Sequence, residues 1–85
     1  MNNESEIMFN GLLKSFVANG MINLGEQKNP LTGKKEVNLN QATYSIKMLE
    51  MIKEKTDGNL SKSEQDVLTE HLTQLKMLFV RISNN

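Results

Sequence analysis

Residues 29–39 read NPLTGKKEVNL. The stretch holds the chain's one proline, a glycine and a pair of lysines, so it is either a phosphate-gripping loop or a turn between two helices. A Walker-type loop has the form G-x-x-x-x-G-K-[ST] and follows a strand. Gly33-Lys34 supplies the G-K pair, but Lys28 stands where the first glycine belongs and Lys35 where the magnesium-binding Ser or Thr belongs. The segment before the loop also has helical, not strand, periodicity. Asn29-Pro30 instead opens a turn, because proline fixes its own φ and disfavours helix in the residue before it. Gly33 offers a flexible or positive-φ position, and the Thr32 hydroxyl can bond to nearby backbone. The stretch is therefore read as a long connection between helices.

Working outward, Asn38 and Gln41 stand at the spacing of a capping box, with Val37 before the cap able to pack on Ala42. A helix over about residues 38–57 follows, and Gly58 terminates it. Ser61-Lys62-Ser63-Glu64 is a capping box of the S-x-x-E form, starting a helix that runs to about residue 82. Only Gly58, Asn59 and Leu60 lie between these two helices, which favours an antiparallel hairpin. Towards the N-terminus, Phe9, Leu12, Leu13, Phe16, Val17 and Leu24 fall on one stripe at about 100° per residue. This predicts a helix over about residues 4–24, with Asn3 or Ser5 as cap and Gly25 in the left-handed closing position. Gly20 lies near the centre of the stripe. Either another helix approaches closely there, or the helix kinks or ends at Asn19-Gly20. The expected fold is all-α, with three helices (about 4–24, 38–57 and 61–82) and the first packed across the hairpin after the long loop.

The chain has 85 residues, no Cys and one His, with 10 Lys plus Arg against 10 Asp plus Glu. That is one domain over residues 1–85, with residues 1–3 and 83–85 expected to fray. Its core is thin for want of length. Disulfides and thiolate metal sites are excluded, and one His builds no metal site without acidic helpers. Self-association is the remaining reinforcement. Balanced charge argues against a nucleic-acid binder. A membrane span needs about 20 mostly apolar residues, whereas Asn10, Lys14, Asn19 and Asn23 interrupt the first helix. The start, MNNESE, is polar and acidic, unlike a secretory signal, and the expected location is the cytoplasm.

The second helix is apolar on two sides. Leu39, Ala42, Ile46 and Leu49 form one stripe; Tyr44, Met48 and Met51 form another, nearly opposite. A helix apolar nearly all round is buried on several sides. The second stripe therefore predicts a further partner, either the first helix or another chain. Tyr44, Met48 and Met51, with Met77 and Val80 of the third helix, are the candidate homodimer interface. His71 falls inside the third helix's apolar stripe, between Val67 and Leu75. The expected state is a partly buried ring bonded to one backbone or side-chain partner. At a two-fold interface it would meet its own copy and sense pH. Nucleophile-and-base pairs and clustered carboxylates are both missing from the pattern, so no enzyme, catalytic residue, cofactor or metal is expected. The alternative class is a regulator binding an anion, another ligand or nucleic acid through Lys34, Lys35 and the second helix's N-terminal amides.

Leu24-Gly25-Glu26, Asn29-Pro30 and residues 32–39 (TGKKEVNL), with the later run LEMIKEKTDGNL at residues 49–60, carry a resemblance. The pattern resembles the bacterial family called domain of unknown function 1844, from about Phe9 to Val80. The resemblance implies a small, mostly helical cytoplasmic protein and no activity. His71 stands where it implies a leucine.

Overall fold

The computed structural model describes residues 3–84. They form three helices, α1 (Glu4–Asn23), α2 (Leu39–Lys55) and α3 (Lys62–Ser83), and among them there is no strand. The fraying expected at Met1, Asn2 and Asn85 lies outside the described residues. The helix ends differ slightly from expectation. α2 stops at Lys55: the Thr56 N–H still reaches the Ile52 carbonyl (3.0 Å), where the Thr56 hydroxyl also donates at 2.6 Å, but the next N–H, of Asp57, turns to the Glu54 carbonyl three residues back (3.4 Å). α3 includes Ser83, and the Asn84 N–H continues the pattern onto the Val80 carbonyl.

Local hydrogen bonding sets most of these ends. Asn3 occupies the cap position of α1 but its side chain makes no capping bond; Glu4 and Glu6 instead place negative charge in the first turn, favourable to the helix dipole. At the other end, the Gly25 N–H donates to the Ile22 carbonyl (3.1 Å) and the Glu26 N–H to the Met21 carbonyl (2.9 Å). This pair is the Schellman closure, and it requires the left-handed φ of +78° that Gly25 adopts. Val37 Cγ2 lies so close that a Cβ on Gly25 would come within 3.0 Å of it.

The two capping boxes come out differently. Around Ser61 the box is complete: its hydroxyl accepts from the Glu64 N–H (3.1 Å) and the Glu64 carboxylate accepts from the Ser61 N–H (2.9 Å). At Asn38 only half forms. The side chain accepts from the Gln41 N–H (3.0 Å), but the Asn38 N–H donates to the Asn23 carbonyl at 2.7 Å instead of to Gln41. A tertiary contact has displaced a local one, tying the start of α2 to the end of α1 beside the Leu24–Val37 bridge. Ser61→Ala is expected to lower stability by about 1 kcal/mol. Thermal unfolding should show this as a fall in melting temperature of roughly 4–8 °C.

The core is Leu13, Val17 and Leu24 from α1 and its end, Ala42, Ile46, Leu49 and Ile52 from α2, and Leu68, Leu72 and Leu75 from α3. Three contacts relate α1 to α3: Glu6 with Ser61, Gly20 with Leu75, and Glu26 with Arg81. Each pair is 55 residues apart, so α1 and α3 lie side by side in the same direction and in register. At Gly20 the two helices approach closely. A Cβ there would stand 3.0 Å from Leu75 Cδ2, and α1 passes through it unbroken. Of the two readings open at Gly20, close approach holds. The helix accepts the cost of an interior glycine, about 1 kcal/mol relative to alanine, to bring α3 this near. Leu12, expected on the buried stripe, is largely exposed. It lies about 100° round the helix from Leu13, beyond the reach of α3.

Candidate functional site

The five candidate interface residues fall in three places. Leu49 is fully buried in α2, and Met48 and Glu50 lie about 100° to either side of it. The Glu50 carboxylate is 2.7 Å from the Lys76 ammonium of α3, which marks its flank as the α3 side. Met48 is therefore on the other flank, next to α1. Tyr44 and Met51, four residues before and three after Met48, share that flank and project beyond it. Tyr44 is 59% exposed and Met51 41%, while Met48 is half-buried.

Val80 sits elsewhere, in a groove of about 320 Å³ between α2 and α3, with Ile46 and Phe79 as its apolar lining and Lys47, Glu50 and Lys76 along it. Met77 stands on the outer side of α3 with Glu70, Thr73 and Gln74. The structure groups Tyr44, Met48 and Met51, and separates Val80 and Met77 from them.

The candidate anion-binding loop is organised on Asn29. Its N–H donates to the Lys34 carbonyl (2.8 Å), its carbonyl accepts from Thr32 and Gly33, and its Oδ1 accepts from the Leu31 N–H at 2.8 Å. Gly33 takes a φ of +71°. The Thr32 hydroxyl accepts from the Lys34 N–H (3.3 Å), the local role expected of it. Lys34 and Lys35 are exposed. The crevice at the start of α2, about 280 Å³, is lined by Ile22, Asn23, Asn29, Glu36, Val37 and Asn38, and neither lysine reaches it. A carboxylate stands there, and the Gln41 and Asn38 amides are already taken.

His71 is half-buried, but the expected partner is missing on one side of the ring: Nδ1 is buried without a hydrogen bond. The register of α1 and α3 puts His71 level with Phe16, which offers no polar group. Among the described residues, no three His, Asp or Glu side chains group to hold a metal ion. No helix among them is long and apolar enough to cross a membrane.

Sequence periodicity missed apolar residues outside the stripes. Ile7 and Met8 are each 69% exposed, and Leu31, at the loop tip, is 92% exposed. One signal for the first two was in view: between Ile7 and Asn23 the only charge is Lys14. A helix lying on two others normally carries a charged outer face.

A family model described as Domain of unknown function (DUF1844) matches residues 6–81. No curated protein and no solved structure matches the chain.

Proposed function

The chain belongs to the family Domain of unknown function (DUF1844), and we propose that it is a small, non-catalytic helical module that associates with a second copy of itself through the Tyr44-Met48-Met51 side of α2. The observation that carries this reading is the exposure of Tyr44 and Met51 after α1 and α3 have both packed on α2. Such side chains contribute about 25 cal/mol per Å² when taken from water, set against several kcal/mol lost on association.

The reading takes α2 and α3 as an antiparallel hairpin, with α1 laid across it after the long loop. The order of neighbours supports this. Ile46 shares a groove with Phe79 and Val80, whereas Lys53 and Thr56 share a crevice with Leu60 and Gln65. A cytoplasmic setting belongs to the same proposal and is supported by the lack of Cys. Another protein as the partner is the nearest variant of it.

Light scattering tests the surface. The wild-type chain is expected to have dimer mass, and Tyr44→Glu with Met48→Glu monomer mass. Unchanged mass in the double variant rejects the face; a wild-type monomer at high concentration rejects self-association. The alternative, a regulator capturing an anion, ligand or nucleic acid with Lys34, Lys35 and the α2 amides, has less support. Glu36 and the amides already in use both disfavour an anion there.

A further inference from the structure

Two glycines lie inside α1, and the subunit explains only one. Gly20 makes room for Leu75. At Gly11 a Cβ would meet nothing within 4 Å, and its φ is not positive. Neither space nor backbone within the subunit calls for glycine there. Gly11 precedes Gly20 by nine residues, and at about 100° per residue this sets it on the opposite side of α1, away from α3. Its neighbours on the helix surface are Ile7 and Met8 on one side, both largely exposed, and Lys14 and Ser15 on the other.

This side of α1 adjoins the candidate face on α2. The Asn38–Asn23 hydrogen bond starts α2 at the end of α1, and Met48 marks the flank of α2 that turns towards α1. The Gly11 side of α1 and the Tyr44-Met48-Met51 side of α2 therefore form one side of the subunit.

We propose that Gly11 is the point where α1 crosses α1 of a second copy, the two helices running antiparallel about a two-fold axis. This rests on the homodimer reading above and adds where the chains approach most closely. Two observations select the occupant. The first is area: a stable complex buries about 800 Å² per partner, more than a strip of three side chains on α2 supplies. The α1 side extends that strip with apolar surface. The second is charge. The charged residues of α1 are Glu4, Glu6 and Lys14. In an antiparallel crossing at Gly11, at about 1.5 Å per residue, Lys14 stands about 4.5 Å beyond the crossing. Glu4 of the second copy, which shares the Gly11 side of α1, stands about 10.5 Å beyond it in the same direction, within reach of a lysine, whereas Glu6 turns to Ser61 of its own chain. A parallel crossing sets acid beside acid and Lys14 beside Lys14. Self-complementary charge of this kind is what a two-fold interface between identical chains requires.

Sedimentation equilibrium of the full chain, with Gly11→Leu and Gly11→Ala, tests the crossing. Gly11→Leu has open space in the subunit, so its helix content and melting are expected to be retained while its dimer dissociation constant rises about tenfold or more. Gly11→Ala separates the two roles of the site. Alanine favours helix, so the isolated subunit should melt higher while the dimer weakens. Dimerisation of Gly11→Leu at wild-type strength, or a dimer tightened by Gly11→Ala, overturns the crossing. If Tyr44→Glu with Met48→Glu still yields monomers, the association reading survives that result. A wild-type chain that stays monomeric overturns both.

Discussion

Leu49→Ala is expected to remove about 3–5 kcal/mol of folding stability. Leu49 is fully buried at the middle of α2, in the cluster that joins Leu13 and Val17 of α1 to Leu68 and Leu72 of α3. Truncation removes the transfer energy of its methyl groups and leaves a cavity that three helices cannot all close. The loss is large because the chain is small. At roughly 0.05–0.15 kcal/mol per residue, total stability is about 4–13 kcal/mol. Urea unfolding should show a much lower midpoint at an unchanged slope, since the same surface is exposed on unfolding. Glu54→Ala, one turn on and exposed, should stay within about 0.5 kcal/mol. A Leu49→Ala loss below about 1 kcal/mol would contradict the packing described here.

Gly20→Leu is the second large effect, expected at roughly 2–4 kcal/mol destabilising, at or somewhat above the usual range for overpacking. The added Cβ alone would lie 3.0 Å from Leu75 Cδ2 and 3.3 Å from Cδ1. Leu75 is fully buried, so it has little room to retreat. The remaining carbons of the new side chain can be placed only by moving α1 away from α3. Alanine at the same position gains helix propensity and loses a few tenths of an ångström of fit, so its net effect is small. The sharper measurement is a double-mutant cycle. Leu75→Ala alone should cost about 2–5 kcal/mol through its cavity. Combined with Gly20→Leu, the new side chain fills part of that cavity, and the double variant should be more stable than the two losses added, by about 1 kcal/mol or more. Simple additivity would mean that the two residues do not meet.

The loop around Asn29 could be told from a phosphate site because Lys28 and Lys35 occupy the positions that a phosphate loop needs for other residues. Gly25 and Ser61 behaved as expected because their partners lie within five residues along the chain. Asn38 behaved half as expected, since a carbonyl at the end of α1 competed for its N–H. Gly20 was ambiguous because its cost to the helix is local while its benefit, Leu75, is 55 residues away. The five candidate interface residues do not form one grouping: helical spacing joined Tyr44 to Met48 and Met51, yet nothing in the spacing says that Val80 faces a groove and Met77 the outside of α3.

The sequence by itself determined the number of helices, their approximate ends and the character of the connections. Those depend on dihedral preferences and hydrogen bonds among near neighbours, which a short window of residues contains. Only the tertiary structure decided which flank of each helix is covered, that Leu12, Ile7 and Met8 stand in the open, and that Gly11 faces empty space while Gly20 does not. Burial belongs to two surfaces at once. A helix's own periodicity names the apolar side chains, but the crossing of its neighbours chooses which of them leave water.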